Sequence, residues 1–157
     1  MELSSFPANF RLTRLGHTLA ALDHLTEAAK AYAQALDLRR GLGQAHLATE
    51  ALAGLARVAL AQDDPEQALA HVEEILSFLK GNTLDGTDEP LRVYLTCYRV
   101  LHTNQDPRAQ VLLTTAHSLL QQHAAKIEDE ALRRSFLENV PANREITREF
   151  DASQENQ

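Results

Sequence analysis

Residues 12–35 read LTRLGHTLAALDHLTEAAKAYAQA, and this stretch decides the fold. Its first half carries Leu12, Leu15, Gly16 and Leu19, whose three- and four-residue spacing makes one apolar stripe on a helix. Its second half carries Ala28, Tyr32 and Ala35 at the same spacing. Between them Asp23-His24-Leu25-Thr26 interrupts the pattern, with Thr26 the expected cap of the second helix. Two amphipathic helices joined by a tight turn make a hairpin.

The same hairpin recurs downstream. Leu52, Leu55, Ala56 and Ala59 precede Ala68, Val72 and Ile75, and Val93, Thr96, Cys97 and Val100 precede Ala109, Leu113 and Ala116. The period is 40 residues from Ala28 to Ala68 and 41 from there to Ala109. Gly16, Ala28, Ala56, Ala68 and Ala109 fall where paired helices cross, and small side chains there let backbones approach.

Start and stop signals agree with this division. Asp64-Pro65-Glu66-Gln67 supplies an N-cap, a Pro at the first helical position and a Gln placed for a capping box, and Asp106-Pro107 repeats the first two. Arg39-Arg40-Gly41-Leu42-Gly43 and Lys80-Gly81 put basic residues and then Gly at helix ends. The longest loop runs over 81–88, with Asp88 as a cap and Pro90 in the next first turn. The expected helices are 8–22, 26–41, 45–62, 65–80, 89–103, 107–125, 129–139 and 142–150.

Composition is that of a helical globular chain: 157 residues, 44% hydrophobic, 24% charged and only 5% aromatic, with no Trp. The formal charge of −7 opposes phosphate backbones, and the basic pairs Arg39-Arg40 and Arg133-Arg134 form no stripe, so no nucleic-acid partner is expected. The single Cys97, in a small-residue slot of the packing face, reads as a buried inert thiol. No signal peptide or membrane-length apolar run is legible, so no membrane partner and a cytoplasmic location are expected.

A search for chemistry returns nothing. The seven His contain no pair at helical metal-ligand spacing with a Glu between. Gly41-Leu42-Gly43 lacks the third glycine and the lysine of a phosphate loop, and Gly86 with Asp85 and Asp88 fails the calcium-loop spacing. The neighbouring carboxylates Glu73-Glu74 and Glu128-Asp129-Glu130 point apart on a helix. No catalytic residue, cofactor or metal is expected, and the chain is read as no enzyme.

The pattern Leu12-x2-Leu15-Gly16-x2-Leu19, then Ala28-x3-Tyr32, resembles the tetratricopeptide repeat, over roughly residues 8–120. The resemblance is closest in the first hairpin and weakest in the third, where Thr96-Cys97 replaces the Leu-Gly pair. Leu38-Arg39-Arg40-Gly41-Leu42-Gly43 and Phe136–Pro141 ahead of Arg144-Glu145-Ile146 also resemble the helical sensor regions of large bacterial signalling and transcription-regulator ATPases. The implied fold is all-α, a right-handed superhelical array of three TPR-like hairpins over 1–125. Capping helices over 126–150 and a disordered tail over 151–157 complete it. Leu132, Phe136 and Val140 are the expected seal, and Ile146 and Phe150 sit on a shorter helix folding back. Leu3, Phe6 and Phe10 have no comparable cover, which points to a missing upstream repeat or a homodimer through the N-terminal helix.

The resemblance further implies that the first helix of each hairpin lines a concave groove. The residues its packing stripe leaves over are Phe10, Arg14 and His17 in the first hairpin and Arg57 with Leu60 in the second. Tyr94, Leu95, Tyr98 and His102 are those of the third. Arg, Tyr and His suit a binding hot spot, although Tyr94 or Tyr98 could instead pack against a neighbouring hairpin. The expected partner is a protein or peptide, acidic or aromatic-anchored, held by a sensor or interaction module of a bacterial regulatory protein. The alternative is a structural or oligomerising segment of a larger signalling protein with no ligand of its own.

Overall fold

Periodicity and breakers translate into eight helices in the computed structural model, which describes residues 8–157. They are α1 (Ala8–Ala21), α2 (Leu25–Gly41), α3 (Ala45–Ala61), α4 (Pro65–Leu79), α5 (Pro90–Thr103), α6 (Arg108–Ala125), α7 (Glu130–Glu138) and α8 (Pro141–Glu155). No strand occurs among the described residues, so the all-α expectation holds. Leu3 and Phe6 lie outside the described residues.

Four helix ends share one stop. Asp23, Gly43, Asp63 and Gln105 take left-handed φ values of 63°, 68°, 57° and 57°. In each case that residue's N–H donates three residues back and the next N–H donates five back, as in Asp63 to Leu60 O (3.1 Å) and Asp64 to Ala59 O (2.9 Å). This is the Schellman arrangement, which satisfies carbonyls that a terminating helix would leave open. Only Gly43 has the residue type that adopts this conformation without steric cost.

Starts are less uniform. The Asp64 carboxylate accepts the Gln67 N–H at 3.0 Å, as expected, but the Gln67 side chain turns to His71 at 3.1 Å, so the capping box is half made. The Asp106 carboxylate accepts the Arg108 N–H at 2.9 Å and pairs with its guanidinium, which holds Asp106 below the usual carboxylate range. Thr26 does not cap α2; the helix starts at Leu25, one residue earlier, after His24.

The described residues divide into two compact units, one ending at Pro90 and one beginning at Leu91. In the first unit α1 packs on α2, α2 on α3 and α3 on α4, and α1 also touches α3. Ala28, Tyr32 and Val58 centre its core, with Leu19, Leu25 and Leu55 around them. Arg39 and Arg40 close α2, where cations oppose the negative end of the macrodipole. The buried Arg39 donates to Gln44 Oε1 at 2.7 Å, and the exposed Arg40 pairs with Glu74 of α4.

In the second unit α8 packs on α6 and α7. Ile146 is fully buried, and Phe150 stacks on His117 with centroids 3.8 Å apart. α7 was the expected seal, yet none of its residues is buried and Leu132 is 64% exposed. The sealing helix is α8. Its buried Asn143 donates to Phe136 O at 3.0 Å, tying it to α7. α8 also continues through residues 151–155, where a disordered tail was expected, and there Ser153 donates to Phe150 O at 2.7 Å.

Ala28 and Ala68 are fully buried at their crossings, while Ala33 is exposed. Ala28→Leu and Ala68→Leu are therefore expected to cost about 1–3 kcal/mol by overpacking, and Ala33→Leu to change stability by less than about 0.5 kcal/mol. Urea denaturation of the three variants checks this; equal midpoints would contradict the crossing assignment.

Candidate protein-binding surface

The helical spacing of α1 brings Phe10, Arg14 and His17 to neighbouring positions, and Arg14 sits over the Phe10 ring at 5.5 Å. The Arg14 side chain is 56% exposed, whereas His17 is 18% exposed because its Nδ1 is hydrogen-bonded to the Tyr32 hydroxyl at 2.7 Å. The buried Tyr32 thus holds one nitrogen of a mostly covered His. Two acids of the 81–89 connection meet this pair: Asp88 lies 3.9 Å from Arg14 and Glu89 lies 3.8 Å from His17 Nε2.

Glu50 on α3 fixes those acids. Its Oε1 accepts the backbone N–H of both Asp88 and Glu89, the latter at 3.2 Å. Burial pushes the Glu50 carboxyl above its ordinary value, against the lowering effect of the two N–H donors. Asp88, expected to cap the following helix, instead gives its N–H to α3 and its carboxylate to α1. Arg57, the candidate on α3, is half-buried.

The third-hairpin candidates have a different setting. Tyr94, Leu95 and Tyr98 are buried, with Leu95 only 2% exposed. Side chains this buried offer a partner little contact area in the described conformation. His102 remains exposed and stacks on the Tyr98 ring at 5.5 Å. Two links account for part of this enclosure: the Tyr98 hydroxyl donates to Glu149 of α8 at 2.9 Å, and Arg99 Nε donates to Glu145 at 3.1 Å. A cleft of about 570 Å³ remains beside them, lined by Tyr98, His102, Gln110, Glu149 and Ser153 among others.

The Tyr98 phenol is pushed up to about 12, by burial first and then by Glu149, which accepts its proton and opposes a second negative charge. A pKa raised in the folded state means stability that is complete below pH 10 and lost as pH rises from there through about 12. Ultraviolet titration is expected to show one phenol ionising near pH 12, with Glu149→Gln lowering that midpoint. An unchanged midpoint in Glu149→Gln would contradict the assigned cause.

Glu50, Asp88, Glu89 and Glu149 were missed by sequence reasoning, since exposed-looking acids carry no signal of which cation they meet. Among the described residues no three His, Cys, Asp or Glu gather as a metal site, and no helix is long and apolar enough to cross a membrane.

No curated protein and no solved structure matches the chain. Residues 9–81, from α1 to just past the end of α4, match the tetratricopeptide repeat family, whose repeats generally mediate protein–protein interaction or scaffolding. That match covers the four helices of the first unit, and the all-helical architecture agrees with it.

Proposed function

We propose that this chain captures a protein or peptide partner on the first-helix face of its hairpins, as an interaction module of a bacterial regulatory protein. The observation that carries this reading is the Phe10–Arg14–His17 face of α1, an aromatic ring under an exposed guanidinium on the same helix as a partly exposed imidazole. Arg14 is a cation on a chain of charge −7, and with the Phe10 ring beneath it the face fits an acidic peptide with an aromatic anchor. Arg57 on α3 is the further contact proposed in the first unit, and His102 on α5 is proposed separately within the second. The regulatory setting rests on the resemblance of residues 38–43 and 136–146 to bacterial sensor regions.

The test is binding of a fluorescein-labelled oligo-glutamate peptide carrying one Phe. Tyr98→Ala is not a clean probe, because the side chain is 6% exposed and its loss would disturb folding. Arg14→Ala with Arg57→Ala is the better pair and is expected to weaken binding about tenfold. Affinity should also fall as salt rises, since exposed charges are screened over about 8–10 Å near physiological ionic strength. Glu73→Ala with Glu74→Ala on α4 should do little. The reverse pattern would move the working surface to the second helices.

A second reading, a self-associating segment with no ligand, has one observation in its favour. Leu15 on α1 and Leu22 just past its end are 47% and 63% exposed. A tight dimer by size exclusion that Leu15→Glu disperses would favour it.

A further inference from the structure

The connection after α4 stays on the surface of the first unit. Asn82 Nδ2 donates to Phe78 O at 2.9 Å, and Leu84 is only 3% exposed. The Thr87 N–H and hydroxyl both donate to Leu84 O, at 3.1 and 2.7 Å, around Gly86 with φ of 85°. This compact turn delivers Asp88 and Glu89 to α1 and α3. There both backbone N–H groups go to Glu50, and the carboxylates face Arg14 and His17.

We propose that Asp88-Glu89 is an internal stand-in for the partner: segment 82–89 occupies the Arg14–His17 face, and an acidic ligand binds by displacing it. The proposal rests on the docking face of α1 argued above and adds its regulation. The occupant's chemistry is visible directly: two adjacent carboxylates lie against a guanidinium and an imidazole three residues apart. The occupant is also free to leave those two groups. The Asp88 and Glu89 side chains are 54% and 43% exposed, and ion pairs with that much solvent around them are weak. Covalent tethering, together with the buried Leu84 and the two N–H donations to Glu50, brings the segment back to its place. A ligand that needs the open face then binds with an affinity reduced by the fraction of chains that are open. A longer acidic peptide, which engages Arg14, His17 and further cations together, out-competes two carboxylates.

The experiment uses the full chain and the same labelled oligo-glutamate peptide, read by fluorescence anisotropy at low salt. Asp88→Asn with Glu89→Gln is expected to tighten binding about three- to tenfold, because it raises the open fraction. Asp85→Asn removes a charge from the same segment at an exposed residue whose N–H donates to Thr83, and should change affinity less than about twofold. Equal affinity in the Asp88/Glu89 variant and the unaltered chain overturns the stand-in while leaving the docking face. An equal gain in Asp85→Asn also overturns it, since net charge alone would then be responsible. If no version binds the peptide, the docking face falls and the stand-in with it. Hydrogen exchange gives an independent reading: the Asp88 and Glu89 amides are expected to lose protection when the peptide saturates the chain. Retained protection in the bound state overturns displacement.

Discussion

Gly54→Ala is expected to destabilise the first unit by about 1–3 kcal/mol, although Gly→Ala inside a helix ordinarily stabilises by about 1 kcal/mol. The sign reverses because of Tyr32. A Cβ at Gly54 would lie 2.5 Å from Cε1 and Cζ of that ring, and a Cβ at Gly16 would lie 2.6 Å from Cε1. The ring is 1% exposed and its hydroxyl is hydrogen-bonded to His17, so it has nowhere to swing. Gly16→Ala should therefore behave like Gly54→Ala. In a Tyr32→Leu background the clash is absent, and Gly54→Ala should recover the stabilising sign of helix propensity. Denaturant titration of the double-mutant cycle measures the difference as a coupling energy. Stabilisation by Gly54→Ala in the otherwise unaltered chain would contradict the slot.

Ile146→Ala should cost about 2–5 kcal/mol, while Leu132→Ala should stay within about 0.5 kcal/mol. The two residues sit on neighbouring C-terminal helices, both apolar on one face, but Ile146 is fully buried and Leu132 is 64% exposed. Deleting the Ile146 side chain removes apolar contact and leaves a cavity where α8 meets α6 and α7. Thermal unfolding followed by circular dichroism separates the cases. Comparable losses from both changes would mean that α7 shares the seal.

Residues 131–146 also mark where sequence reading stops. Helix positions were legible because stripes and breakers are local: the Pro65 start falls where it was expected, and α2 and α3 end at Gly41 and Ala61, within a residue of the expected ends. Which amphipathic helix obtains a partner is not local. The stripe of Leu132, Phe136 and Val140 is as regular as that of Ile146 and Phe150, and nothing in either marks the winner. Gly54 was visible as a glycine within a helix, but its reason is Tyr32, a residue of the other hairpin. The candidate site divided the same way. Phe10, Arg14 and His17 share a helix, and the structure brings them together. Tyr94, Leu95 and Tyr98 share one too, yet whether such a face stays open depends on what packs over it, and Glu149 of α8 is 51 residues beyond Tyr98. The path of the loop to Glu50 was equally invisible, since a loop's course is set by tertiary contacts rather than by period.

The two-glycine slot has a bearing on how the first unit comes apart. In arrays of stacked repeats, total stability divides into a part intrinsic to each repeat and a part shared between neighbours. Tyr32 belongs to α2, yet its ring abuts α1 of its own hairpin and α3 of the next, so one side chain enters both parts. Opening either hairpin alone uncovers that ring and forfeits contact on both sides. The pair therefore behaves as one domino instead of two, and hydrogen exchange should find α1, α2 and α3 opening with a single free energy.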